Sequence, residues 1–370
     1  MCRTGTRGGG SGGHCAAQFD LEAKRREYIL PAPAWAQSII RSLLNDPRDE
    51  PVAFLFLNVL TLAVPAAAAL FFLPPSHSLG AAYLAINYGV FITRFLVALL
   101  HVTDHRRLFK AEYNYLNKIA VHFLAPFYGV PSGLYSLHHT KMHHSESNGA
   151  HSDLSSTEPY QRDNVLHFLV YWIRHTVGAW VELLVYALYR RRFRLFGMCF
   201  LTETAYFAGV YLLWQWRPVA TLWTLVIPYL LSSLALMFGN WSQHIFINPE
   251  HPSSAYGMAY NCVACPDNAI TFNDGYHIQH HLNSKTHWSE LPKRFQETIH
   301  EHAQQQALVF EGIGVFEVGL GVFLGRLDSL VKHIVICGQP FASMDSGALV
   351  ELLRSRLKPV RKGHDRNKMS

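Results

Sequence analysis

The sequence predicts an all-α integral membrane protein: four transmembrane helices in two hairpins, with a cytoplasmic helical cap that carries clusters of histidine. Three observations predict it. Of the 370 residues 49% are hydrophobic and only 16% charged, where a soluble domain carries about a quarter charged. The apolar residues come in blocks of about 20, the length that crosses some 30 Å of hydrocarbon as a helix. Histidine, 22 residues in all, is concentrated between 101 and 151 and between 244 and 302.

The elements follow in chain order. Six glycines among the first 13 residues read as a disordered tail over 1–20. Arg3 and Arg7 precede the first acid, Asp20, which leaves a short transit peptide open; no apolar stretch suggests a cleaved secretory signal. Residues 21–51 form an N-terminal cytoplasmic or interfacial segment. A membrane domain follows over 52–300, and 301–370 is a C-terminal cytoplasmic or surface-associated segment.

Within the membrane domain the first span runs from Val52 to Leu73 and the second from Leu79 to Leu100, separated by Pro74, Pro75, Ser76, His77 and Ser78. The third runs from Phe196 to Trp214 and the fourth from Val219 to Gly239, with Gln215, Trp216, Arg217 and Pro218 between them. Residues 165–188 are apolar but hold Arg174 and His175 near the middle. A charge there costs about 2.5–3.5 kcal/mol, so this segment is expected in the membrane interface. Residues 118–136 contain Pro126, Gly129, Pro131 and Gly133, which break a straight span and predict a re-entrant or interfacial segment. Residues 307–326, with Glu311, Glu317 and five glycines, read as a surface-associated helix.

Charge placement orients the spans. The two hairpin turns carry one arginine, Arg217, whereas Arg106, Arg107, Lys110, Lys118 and the run Arg190, Arg191, Arg192, Arg194 lie on the other side. By the positive-inside rule that side is cytoplasmic, as are both termini. All the histidine clusters then share the cytoplasmic face. The net charge of +6 is absorbed by topology, and no basic stripe with interleaved aromatics suggests nucleic acid. The six cysteines are scattered and make no disulfide framework; Cys262 and Cys265 have metal or redox spacing but no second pair.

The clusters are His101-x3-His105, His138-His139-x3-His143-His144 and His277-x2-His280-His281, joined by Asn240-x3-His244. Rings three and four residues apart share one helix face, so each cluster can aim several nitrogens at one point. Eight or more such nitrogens exceed the four ligands of zinc. They suit a pair of transition metals of higher coordination number, iron foremost where imidazole-rich sites meet oxygen.

This arrangement, interleaved with two helical hairpins, resembles the membrane fatty acid desaturase and hydroxylase superfamily over residues 50–295. The resemblance implies iron ligands at His101, His105, His139, His143, His144, His244, His277, His280 and His281, with Asn240 reaching metal through water. His138 leaves the register of the second box open and is a supporting candidate. Asp104 and Asp274 are others, along with Glu146, Asp153 and Glu290, as acceptors for the second ring nitrogen of a ligand. His122, His151, His167, His175, His251 and His287 fall outside the pattern.

The implied chemistry is O2-dependent removal of hydrogen from an unactivated C–H bond, with two iron ions as cofactor and electrons from outside. Desaturation of an acyl chain is the leading expectation, hydroxylation of an acyl or alkyl chain the alternative. The substrate would be an acyl lipid, an acyl-CoA or another long-chain molecule drawn from the bilayer. No nucleotide fingerprint and no fused cytochrome b5 motif is present in the sequence, so a separate cytochrome b5 or ferredoxin is the expected donor. The expected location is the endoplasmic reticulum, with the plastid as the alternative. Metal transport is disfavoured, because the four spans hold only Arg94 and Glu203 as ionisable residues.

Overall fold

The computed structural model describes residues 3–4, 20, 28–149 and 153–360. The glycine-rich tail expected over 1–20 therefore lies outside the described residues apart from Arg3, Thr4 and Asp20, as does His151. The chain is mostly helical and divides into two compact units: Arg26–Met142 with Arg174–Leu236, and Met1–Arg25 with His143–Ile173 and Met237–Ser370. We call them the hairpin unit and the loop-rich unit.

The hairpin unit begins with α1 (Ala34–Leu43) and α2 (Pro47–Phe72). Asp46 starts α2 by accepting a hydrogen bond from the Arg48 amide at 2.9 Å, and Pro47 occupies its first position, where no N–H is needed. A π-helical turn over Val59–Ala63 absorbs the N–H that Pro65 lacks. Pro74 and Pro75 stop the helix. Ser76 then caps α3 (His77–His105), its hydroxyl accepting from the Leu79 amide at 3.2 Å. The second pair is α6 (Phe193–Trp216) and α7 (Pro218–Gln243), and Pro218 again opens its helix.

The two hairpin turns meet. Trp223 donates its indole N–H to His77 at 3.2 Å, and Gly80 lies so close that a Cβ there would sit 2.3 Å from the Trp223 ring. Halfway along, the Tyr88 hydroxyl donates to the Pro228 carbonyl at 2.9 Å.

The segment expected to be re-entrant is broken helix: a π-helical stretch over Ile119–Leu124, a tight turn over Ala125–Tyr128, then α4 (Leu134–His138). Gly129 and Gly133 have φ of +69° and +81°, which glycine alone adopts without strain. A Cβ on Gly129 would fall 2.1 Å from the Tyr229 amide nitrogen, so the loop lies directly on the α7 backbone. Thr202 on α6 satisfies the loop, donating to the Ser132 carbonyl at 2.6 Å, as irregular backbone at membrane depth requires.

Among the described residues five helices are long and apolar enough to cross a membrane, the one outside the two hairpins being α5 (Val165–Tyr189). The sequence predicts an interfacial segment here because of Arg174. In the structure Arg174 pairs with Glu182 two turns along, at 2.7 Å, so the helix carries its charges as a pair. Length and composition class it with the spans.

The loop-rich unit builds its core from aromatic side chains: Phe168 of α5 packs edge-on against Phe238 and Trp241 of α7, and against Phe323. Two short parallel strands, β1 (Asn261–Val263) and β2 (Val309–Glu311), pair Cys262 with Phe310. Between them lies α8 (His277–Leu282). The apolar stretch 307–326 becomes β2 followed by α9 (Val315–Phe323); nine residues make about 14 Å of helix, too short to span. Its Val318 and Val322 are buried and Leu320 and Leu324 exposed. The last helix, α10 (Ser346–Ser355), is capped by Asp345, which accepts from the Ala348 amide at 2.8 Å.

Candidate metal centre

In the hairpin unit the last turn of α3 delivers His101 and His105, and the residue after α4 delivers His139. Their ring centroids lie 4.8–5.0 Å apart, and the Nε2 atoms of His105 and His139 are 2.9 Å apart. Ser136 donates its hydroxyl to Asp104, which ties the α3 turn to α4 and fixes this group of three. A π-helical stretch, Arg94–Leu100, immediately precedes His101; such local widening is frequent at functional sites.

The loop-rich unit gathers the other six. His143, His244 and His281 bring ligand atoms within 4.8 Å of one another. Nε2 of His277 lies 3.3 Å from that of His244 and 3.1 Å from that of His281, and the Nε2 atoms of His280 and His144 are 2.9 Å apart. His277, His280 and His281 share one face of α8, as their spacing predicts.

These donors fit a transition metal. Imidazole nitrogens bound about 2.0–2.1 Å from one ion stand roughly 2.9–3.4 Å apart, the separation seen here. Burial, then neighbouring imidazoles, holds His244 and His281 in the neutral form that binds metal: His244 is pushed down to about 3 and His281 well below its ordinary value. The outer nitrogens are held as well. His143 donates Nδ1–H to Asp153 at 2.7 Å, and His244 donates Nδ1–H to the Met258 carbonyl at 2.8 Å. Each Nε2 lone pair is thereby turned inward.

The loop from Asp153 to Arg162 supports this group. Asp153 opens it; Thr157 donates its hydroxyl to the His244 carbonyl at 2.8 Å; and Asn240 donates to the Ser155 carbonyl at 3.0 Å and to Tyr171 at 2.7 Å. Arg162 closes it, fully buried, with Nε on the Ile245 carbonyl at 2.8 Å and Nη2 on the Arg356 and Lys358 carbonyls at 2.8 and 2.5 Å. Asp20 is a second support. Its Oδ2 accepts from the Tyr276 hydroxyl and the Ala264 amide, both at 2.7 Å, and so steadies the start of α8. Neither residue carries a local signal beyond an acid or a base in a polar stretch.

The supporting candidates divide. Asp274, lifted to about 7 by burial, accepts from Gln243 at 2.7 Å. His138 is buried beside His175, ring centroids 4.8 Å apart, which explains a histidine in the middle of α5. His167 accepts from the Gln161 amide at 2.9 Å, and His287 from the Ser289 amide at 3.1 Å. Cys262 and Cys265 are buried free thiols, both pushed up by burial, Cys265 to about 12.

Residues 76–311 match the family model described as fatty acid desaturase. The chain belongs to the fatty acid desaturase family. The matched span contains all nine histidines and Asn240. No curated protein and no solved structure matches the chain. This desaturase-family enzyme therefore carries histidine clusters consistent with a di-iron site, in a multi-pass architecture with five helices of membrane length.

Proposed function

We propose that the protein is a membrane-bound, O2-dependent di-iron acyl desaturase. The observation that carries this reading is the pair of histidine groups, each with imidazole nitrogens converging at ligand spacing inside a family whose substrates are lipid. His101, His105 and His139 would hold one iron, and His143, His244, His277 and His281 the other, with His144 and His280 completing the set. Asn240 would act through water by its Oδ1. When bound, the two irons supply the O2 activation and C–H chemistry that no side chain provides.

The chain's own residues do the rest. Asp153 and the Met258 carbonyl keep the ring tautomers of His143 and His244 in the metal-binding form. Arg162 and Thr157 hold the backbone around His244, so that the ligands are placed before metal arrives. Burial excludes water and keeps His244 and His281 neutral.

The topology we favour keeps four spans and lays α5 along the cytoplasmic interface. Tyr186 and Arg192, at its end and just beyond, both donate to the Lys141 carbonyl, at 3.0 and 2.9 Å, within the second histidine cluster. The electron donor would be a separate cytochrome b5 or ferredoxin, and the compartment the endoplasmic reticulum.

The test is expression in a host of simple fatty-acid profile, followed by mass spectrometry of its lipids. New double bonds support desaturation. New hydroxyls select hydroxylation on the same scaffold, and an unchanged profile with iron bound contradicts both.

A further inference from the structure

The hairpin unit contains a cavity of about 460 Å³ that none of the nine histidines lines, within the size range of small-molecule sites. Its wall is almost wholly apolar, with Phe71, Phe127 and Leu213 among the lining residues. One polar strip interrupts it. Thr202 is bonded to the Ser132 carbonyl, and the Ser132 hydroxyl lies 2.8 Å from Nδ1 of His122. Nε2 of His122 has no hydrogen-bond partner among the described residues.

The strip lies deep. Thr202 is about 14 Å along α6 from Phe193, and the adjoining Gly129 rests on Pro228 and Tyr229, near the middle of α7. In a hydrocarbon core about 30 Å thick both positions are near mid-depth. A ring nitrogen without a partner beside an apolar space there is unfavourable unless a ligand bonds to it.

We propose that this cavity binds an alkyl chain bearing a hydroxyl group, and that Nε2 of His122 reads the hydroxyl. Hydroxyl is the group that fits. Ser132 can either donate to Nδ1 or accept from it, so Nε2 is a donor in one arrangement and an acceptor in the other. A hydroxyl satisfies both, a carbonyl only one, a methylene neither. That the occupant is the enzyme's substrate rests on the desaturase reading; that it binds does not, so the two can fail separately.

The full-length protein in detergent is titrated with stearic acid and with a mid-chain hydroxystearic acid, followed calorimetrically. A second arm presents the same two chains as phosphatidylcholines in nanodiscs. The hydroxylated chain binds about fivefold more tightly, as one neutral hydrogen bond gives. Preference in the first arm assigns a free acid as occupant, and preference in the second alone an esterified lipid. His122→Leu abolishes the preference without weakening the plain chain, and His122→Gln keeps it. Equal affinities in both arms of the wild type, or a preference that survives His122→Leu, overturn the proposal.

Discussion

Asp153 accepts a 2.7 Å hydrogen bond from Nδ1 of His143, and both side chains are buried. The carboxylate holds Nδ1–H and leaves Nε2 as the only nitrogen able to take metal. Asp153→Asn keeps the volume but loses the charge and can reverse the hydrogen bond, favouring the wrong tautomer. Metal affinity should fall about 10–100-fold, read by titrating the metal-free protein with ferrous or cobaltous ion. An unchanged affinity would remove Asp153 from the site.

Arg162 lies between the metal site and the C-terminal segment. Its fork of N–H groups serves carbonyls 83 and 194 residues away in sequence, which a lysine cannot span. Arg162→Lys should destabilise the protein by on the order of 2–4 kcal/mol and loosen the His244 backbone. Truncation after Ser355, which removes the same two C-terminal partners, should lower the melting temperature comparably. If truncation has no effect while Arg162→Lys does, the C-terminal link is not what the arginine maintains.

Acid should unfold the loop-rich unit of the metal-free protein. His302 is buried, pushed down to about 4, and its Nε2 accepts from Asn261 and Gln279, both at 3.2 Å. In the unfolded chain the same ring takes a proton near 6.5. Stability is therefore lost as pH falls from about 6.5 toward 4, and His244 and His281 act in the same direction. Asp274 opposes them, since its buried carboxyl is most easily carried protonated, and Asp267 and Glu311, raised less by burial, act with it against the three histidines. Melting temperature should drop between about pH 7 and pH 5; a flat or rising profile would contradict the neutral-imidazole core.

Glu203 sits fully buried on α6, and neither carboxyl oxygen has a hydrogen-bond partner among the described residues. An unsatisfied polar group in that position costs about 1–3 kcal/mol. Glu203→Leu should accordingly raise thermal stability by a comparable amount. A loss of stability or of lipid turnover would show that the carboxyl has a partner during the reaction cycle.

What could be read from the sequence was whatever depends on neighbours along the chain. Helices α2, α3, α6 and α7, their proline-bearing turns and the histidine registers all follow from local spacing, and so does the broken segment before α4. Asp153 was one of several acids close enough in sequence to serve a ligand histidine, whereas Arg162 and Asp20 did not stand out, because what they do is set by partners tens to hundreds of residues distant. The pairing of Arg174 on α5 was hidden for a related reason. Its partner Glu182 is two helical turns away, outside the three- and four-residue spacing by which paired charges on a helix are recognised.

Nine histidines holding two irons is the proposal on which the desaturase chemistry rests. Elemental analysis of the purified protein, repeated on His101→Ala and His281→Ala, addresses it most directly. About two irons per chain are expected in the wild type, with each variant losing iron while still inserting into membranes. One zinc and no iron, or full iron retention in both variants, would contradict it.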